Sequence, residues 1–406
     1  MSLGWIESIV RGTFGGLGSL RQSLTVVNAA WITVLASLAL SLIGLYAIDL
    51  AEAPTPDRSP SGTSIRQAVF LIVGLSAAFA AAIPHYRWFR FLAWPGYVLC
   101  VALLVFLLLP FVPSWLVTPR NGARGWIDLG VADFQPAEVT KIAFVLVIAG
   151  YLRYRREHMQ LTGLLAPGLI AAVPVGLITL QPDLGSASLY VPSLFAMLLA
   201  AGARLRHLVL IVFIATLAAP ASWPLLRDHQ QRRFIAIVQQ LRGSDEGAQD
   251  INFQSFTAQR LVGAGGIAGT NDAKTRALVR YNRLPEAHND MVFAVITLRF
   301  GLIGGVATML LYMLWTVGAI GVAVACKDPQ GRVIVVGLAV FIAVQAIINI
   351  GMTVGLLPII GVTLPFISYG GSSMLTCWLM TGLVLNVGLR RIQAPLVRGV
   401  DDEYYQ

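Results

Sequence analysis

Asp183 stands in the run Gln181, Pro182, Asp183, Leu184, Gly185, where one apolar stretch ends and the next begins almost at once. A carboxylate at such a junction is partly buried, lies near helix ends and stays open to one aqueous face. Those are the conditions for a general base of adjustable pKa. The same spacing suits a structural role, with Pro182 making the turn, Asp183 capping the next helix and Ser186 bonding locally. The two roles are compatible.

Other polar residues gather at the edges of apolar runs. Glu138 and Lys141 are three residues apart and share a helix face. They read either as an edge ion pair that snorkels to the interface or, with Arg120 and Arg124, as a cradle for a phosphate-bearing headgroup. His288 and Asp290 follow Leu284, Pro285 and Glu286, and Asp290 is placed to cap a helix or complement its dipole. Arg299, about two turns into a span, must snorkel, pair or line a cavity. Trp126, with Trp115 and Phe134 among charges, fits an interfacial anchor. Between Asn349 and Ser373 stand Gly351, Gly355, Pro358, Gly361, Pro365, Gly370 and Gly371. Helix breakers at that density predict a bent or re-entrant element buried in protein or lining a cavity. Ser368, Tyr369, Ser372 and Ser373 then open the last span, where they serve as simple caps or leave its N-terminal amides to face an anion.

The elements that position these residues are membrane-spanning helices. Of 406 residues 56% are hydrophobic and 12% charged, and the mean hydropathy is +0.73; soluble domains carry roughly twice that share of charge. Apolar runs near 25–48, 66–83, 91–112, 136–152, 163–180, 184–201, 207–223, 290–323, 332–354 and 368–389 are long enough to cross a bilayer. They are continuous rather than alternating, which predicts an all-α polytopic fold of about ten helices and not a barrel. Residues 1–24 read as a cytoplasmic segment, either an interfacial helix or a tail; 25–392 form one membrane domain, with a large extracytoplasmic loop at 224–289; 393–406 form a cytoplasmic tail. No cleaved signal peptide is expected.

Lys and Arg in the short loops set the orientation. Arg11, Arg21, Arg87, Arg90, Arg153, Arg155, Arg156, Arg204, Arg206, Lys327, Arg332, Arg390, Arg391 and Arg398 fall on one side, which predicts that both termini are cytoplasmic. This bias accounts for most of the net charge of +9, which requires no nucleic acid. Cys100, Cys326 and Cys377 read as packed thiols, and neither they nor the scattered His residues have metal-ligand spacing.

These segments together resemble the SEDS family (shape, elongation, division and sporulation), the RodA and FtsW peptidoglycan polymerases. The matching pieces are NGARGWIDLG at 121–130, FQPAEVTKIA at 134–143, QPDLGSA at 181–187, LPEAHNDMVFAVI at 284–296 and INIGMTVGLLPIIGVTLPFISYGGSS at 348–373. The resemblance implies a ten-helix SEDS fold in the bacterial cytoplasmic membrane. It implies polymerisation of undecaprenyl-linked lipid II on the external face by an inverting glycosyl transfer that releases undecaprenyl pyrophosphate. It places Asp183 on an essential Asp of the family, the base for the acceptor sugar hydroxyl, since displacement with inversion needs no covalent intermediate. Arg124, Trp126, Glu138, Lys141, Gln181, His288, Asp290, Ser368 and Ser372 are the expected substrate-binding residues. The implied partner is a class B penicillin-binding protein. No cofactor is implied; the chemistry admits a divalent cation, but no residues assign one.

Three positions depart from the family pattern. The Arg of the Gly-Ala-x-Arg-Trp segment is shifted to Arg124, ahead of Gly125; Leu298 and Arg299 replace a pair of acids; and the glycine-rich part of the large loop is only loosely similar. Two other readings compete with the enzyme. One is a transporter of lipid-linked glycan, which needs a polar path through the midplane; the other is an inactive scaffold of the same fold.

Overall fold

The computed structural model describes residues 17–53, 55, 57, 59–113, 115–117, 123–130, 132–153, 160–218 and 253–390, with residues 17–28 as backbone alone. The expectations for residues 1–16, Arg120, the 219–252 part of the large loop and the 393–406 tail lie outside the described residues.

A chain shielded from water must bond its own backbone, so apolar runs fold as helices. In order they are α1 (Leu17–Glu52), α2 (Gly62–Ala82), α3 (Phe89–Leu108), α4 (Pro136–Arg153), α5 (Leu165–Leu180), α6 (Leu184–Ser188), α7 (Tyr190–Ala200), α8 (Leu205–Ala218), α9 (Phe253–Gly265), α10 (Asp272–Tyr281), α11 (Val292–Ala325), α12 (Pro329–Thr353) and α13 (Gly371–Arg390). Every apolar run read from the sequence falls on one of these, the sixth being shared by α6 and α7. Among the described residues seven helical segments are long and apolar enough to cross a membrane: α1, α2, α3 with the turn before it (Tyr86–Leu108), α5 with the turn before it (Thr162–Leu180), α11, α12 and α13. The protein is an all-α polytopic membrane protein.

Helix α4 carries Glu138, Lys141 and Arg153, more charge than a lipid-facing span tolerates. It escapes that penalty by position, because nearly every residue from Pro136 to Ala149 is buried against neighbouring helices. Ser61 starts α2 by accepting the Ser64 amide at 3.1 Å, Asn271 starts α10 by accepting the Lys274 amide at 2.8 Å, and Pro329 opens α12.

One expectation is corrected, and one element is added. Helix α1 runs unbroken from Leu17, so residues 17–24 continue into the first span instead of forming a separate interfacial helix. The 113–135 segment contains a small antiparallel ribbon, with Ile127 opposite Phe134 and Asp128 opposite Asp133; Gly130 turns it at φ 78°.

The helices pack through small residues. A Cβ on Gly382 would lie 2.4 Å from the Ala78 carbonyl, and one on Gly318 would lie 2.8 Å from the Ala29 carbonyl, so α13 meets α2 and α11 meets α1 backbone to backbone. A polar seam crosses the same contact, with Trp315 Nε1 donating to Ser37 Oγ at 2.8 Å and Ser37 Oγ lying 3.0 Å from Thr381 Oγ1.

Two irregular segments shape one end of the bundle. Helix α11 breaks at Gly301 (φ 67°, ψ −162°). The turn after α9 fills the break: Gly266 and Ile267 carbonyls accept the amides of Leu302 and Ile303 at 2.8 and 3.3 Å, and the Thr270 amide donates to Leu298 O at 3.0 Å. The 354–370 segment folds back into the bundle, burying Val362, Leu364, Phe366 and Ile367. Gln67 holds its end, donating to Ser368 O at 3.0 Å and accepting from the Gly370 amide at 3.1 Å. The dense helix breakers therefore mark a buried re-entrant element.

Candidate active site

Asp183 lies between α5 and α6 and caps α6, its Oδ1 accepting the Ser186 amide at 2.9 Å. Gly185 behind it touches the re-entrant segment, since a Cβ there would lie 2.5 Å from the Ile360 carbonyl. Desolvation pushes the Asp183 carboxyl above the ordinary range, opposed by the Ser186 hydrogen bonds and the Lys141 charge. Gln181 is buried and donates to the Leu104 carbonyl at 2.9 Å, fixing the end of α5 to α3.

Asp290 sits in the turn leading into α11, half-buried. Desolvation, then the charges of Glu286 and Asp183, push its pKa up to about 7. Its backbone carbonyl accepts Asn349 Nδ2 at 2.8 Å, and the same amide nitrogen reaches Val362 O at 2.7 Å. Asn349 thus ties the Asp290 turn to the re-entrant segment. The Asp183 charge reaches Asp290, and the two carboxyl groups differ in environment: one oxygen of Asp183 is committed to a helix cap, whereas among the described residues nothing donates to the Asp290 carboxyl.

Glu138 and Lys141 are neither a snorkelling pair nor an open cradle. They are 3% and 1% exposed, with Lys141 Nζ 2.6 Å from Glu138 Oε1 and 2.9 Å from Gln345 Oε1. The neighbours of α4 cover the position that hydropathy alone placed at an edge. Gln345 Nε2 continues the chain to Thr363 O at 3.0 Å. Glu138 Oε2 is buried without a partner, as is Asn349 Oδ1. Arg124 does not join this pair; it is half-buried, makes no ion pair among the described residues, and leaves its Nε buried without an acceptor. Trp126 stands beside it, half-buried, ahead of the ribbon.

The hydroxyls of Ser368 and Ser372 are used as braces. Ser368 Oγ accepts the Leu364 amide at 2.7 Å and donates to Asn289 O at 2.8 Å; Ser372 Oγ accepts the Gln135 amide and donates to Asp133 O, both at 3.0 Å. They join the start of α13 to the Asp290 turn and to the ribbon. His288 Nδ1 lies 2.7 Å from Glu52 Oε1, and its carbonyl accepts the Tyr369 amide at 2.9 Å.

Several of these residues had a signal that went unread. Gln345 and Asn349 are polar, four apart and in the middle of an apolar span, which places them on one face of a buried helix. Gln67 gives the same signal in α2. The partner of Arg299 carried none: Arg299 Nε is 2.5 Å from Asp272 Oδ1 in the first turn of α10, and its NH1 donates to Thr270 O at 2.9 Å. Among the described residues no three of His, Cys, Asp and Glu come together as metal ligands, and the three Cys residues are buried and unpaired.

Comparison with known proteins gives this geometry a context. Residues 28–392 match the family of FtsW, RodA and SpoVE, described as cell cycle proteins. Stage V sporulation protein E of Bacillus subtilis is 31% identical over 367 residues, covering 88% of this chain and 96% of that protein. A probable peptidoglycan glycosyltransferase FtsW of Halorhodospira halophila is 34% identical over 387 residues, covering 93% and 92%. Among solved structures, a chain from a study of how a peptidoglycan synthase complex coordinates polymerization and crosslinking superposes with a TM-score of 0.75 at 30% identity, covering 90% of this chain and 98% of that one. The rod shape determining protein RodA of Thermus thermophilus superposes with a TM-score of 0.62 at 28% identity, covering 90% and 98%. The fold, the re-entrant segment and these matches along nearly the whole length lead to one conclusion: this chain belongs to the FtsW, RodA and SpoVE family, the SEDS proteins.

Proposed function

We propose that the chain is a peptidoglycan glycosyltransferase that polymerises lipid II with inversion, and that the base is a member of the Asp183 and Asp290 pair, with Asp290 the better placed. The relatives named FtsW support the reaction class. The observation that carries the assignment is the contrast in hydrogen bonding: among the described residues nothing donates to the Asp290 carboxyl, whose pKa burial pushes up to about 7, while an oxygen of Asp183 caps a helix. A base poised near neutral pH combines the correct protonation state with enough driving force for proton transfer.

In this reading the acceptor 4-hydroxyl gives its proton to the Asp290 carboxylate as its oxygen bonds to the anomeric carbon of the donor. The bond from that carbon to the pyrophosphate oxygen breaks, and its electron pair leaves as undecaprenyl pyrophosphate. Asp183 supplies the negative charge that keeps Asp290 basic.

The site faces the outside of the bacterial cytoplasmic membrane and both termini face the cytoplasm. Arg87, Arg90, Arg153, Arg204, Arg206, Lys327, Arg332 and Arg390 all lie at the end of the bundle away from Asp183, which supports this orientation. The partner is a class B penicillin-binding protein, a reading supported by the likeness to a chain studied in a peptidoglycan synthase complex.

Purified protein in lipid vesicles with lipid II, scored for glycan chains, tests the proposal. Polymer from the unmodified protein, none from Asp290→Asn, and residual synthesis from Asp183→Asn are expected. Loss confined to Asp183→Asn would move the base to Asp183, and no polymer from any form would favour the scaffold or transporter.

A further inference from the structure

A cavity of about 480 Å³ lies outside the paired carboxylates, between the end of α1, the inner face of α10 and the 283–288 turn. Small-molecule sites occupy roughly 300–1,000 Å³. Its charged lining consists of Arg276, Arg280 and Arg283 together with Glu52, Glu286 and His288.

Part of this lining is already engaged. Arg276 NH1 donates to the carbonyls of Asp49 and Ala53 at 2.8 and 3.1 Å, and its NH2 pairs with Asp49 Oδ2 at 2.9 Å. This fixes a cation in the wall, 93% buried by its 7% exposure, and leaves its Nε without an acceptor. Glu286 Oε2 accepts from Asn289 at 2.7 Å, and Glu52 holds His288. Among the described residues Arg280 and Arg283 have no acidic partner. Among the described residues the cavity therefore combines two arginines without an acidic partner, Arg280 and Arg283, with the carboxylates of Glu52 and Glu286.

We propose that this cavity receives the peptide arm of the lipid-linked substrate, a short peptide that carries both carboxylates and an amine. The proposal rests on the glycosyltransferase reading above. A diphosphate here would be repelled by the carboxylates of Glu52 and Glu286. A group of both signs satisfies the whole lining, its carboxylates on Arg280 and Arg283 and its amine on Glu286. Glu286, which lines the cavity, is close enough to Asp290 for its charge to act on that carboxyl, so the cavity lies near the proposed base, where an arm attached to the sugar would lie.

The experiment has two arms. In the first, an N-acetylated pentapeptide with one acidic residue, one lysine and a free C-terminal carboxylate is titrated into the detergent-solubilised full-length protein. It binds the unmodified protein, and the double variant Arg280→Gln with Arg283→Gln binds it about tenfold more weakly, as expected for two lost ion pairs at exposed arginines; circular dichroism confirms equal folding. In the second, KM is compared for lipid II and for the same lipid-linked disaccharide without its peptide. The double variant raises KM for lipid II about tenfold and for the peptide-free substrate less than twofold. An equal rise for both substrates would assign the arginines to the diphosphate and overturn the proposal, as would absence of peptide binding to the unmodified protein. Peptide binding without any polymer from the unmodified protein would overturn the glycosyltransferase reading alone.

Discussion

Arg299 in α11 pairs with Asp272 at the start of α10, Nε to Oδ1 at 2.5 Å, and Tyr46 of α1 bridges them, donating to Asp272 at 2.8 Å and accepting from Arg299 at 3.1 Å. Arg299 stands where the family resemblance implies an acid, and Asp272 of the large loop supplies its counter-charge. Burial works against ionisation of Asp272, but hydrogen bonds from Tyr46 and Arg299 hold its carboxyl below the ordinary range.

The pair tests as a unit. Both side chains are more than a quarter exposed, so solvent screening limits their coupling to about 1 kcal/mol. Arg299→Ala and Asp272→Ala are each expected to lower the thermal midpoint, and the double variant is expected to lose less than their sum. Strict additivity in that cycle would show that the two residues do not interact.

The Asp290 pKa fixes a pH dependence. A base must be deprotonated, so the polymerisation rate at saturating substrate rises with pH through about 7 and then levels off. Asp183→Asn keeps an oxygen for the cap and removes a charge that raises the Asp290 pKa, so the midpoint moves to lower pH. Stability runs the opposite way. The folded pKa lies above the unfolded one, so the contribution of Asp290 is complete below the unfolded value near 3.8 and is lost as pH rises through about 7. A rate profile that stays flat from pH 5 to 9 would remove Asp290 from the role of base.

Lys141 and Glu138 respond asymmetrically to substitution. Lys141→Ala leaves a buried carboxylate without its cation, at a cost of about 3–5 kcal/mol. The combined Lys141→Met and Glu138→Gln variant removes both charges at similar volume and is expected to fold better than Lys141→Ala. Thermal unfolding in detergent reads the order, and the reverse ranking would contradict the burial of the pair.

Gly301 and Gly269 each exclude a side chain. A Cβ at Gly301 would lie 2.2 Å from Ile267 O and one at Gly269 2.1 Å from Arg299 O, both at positive φ. Ala at either position combines a left-handed backbone with a clash, for an expected loss on the order of 2–4 kcal/mol. Gly263→Ala, which meets nothing within 4 Å, is the control and is expected to be near neutral in the same unfolding measurement.

The sequence reports the helices well because spanning lipid demands a long apolar run, and each such run became a helix. It reports the re-entrant element for a related reason, since Gly355, Pro358, Gly361 and Pro365 cannot continue α12. What it leaves open is set by neighbours distant in the chain. Lys141 looks like an edge residue until α12 brings Gln345 to its ammonium. Asp183 and Asp290 are equal as carboxylates in sequence, and only the folded surroundings separate a helix cap from an unpartnered acid. Ser368 and Ser372 look free to meet a ligand until Asn289 and Asp133 occupy their hydroxyls. The partner of Arg299 is 27 residues back, in the large loop.

The interruption of α11 at Gly301 has a mechanical meaning. Two amides that an unbroken span would satisfy internally are instead held by the Gly266 and Ile267 carbonyls. The turn after α9 and the 302–325 part of α11 are thus joined by main-chain hydrogen bonds, so neither can shift along the other without breaking them.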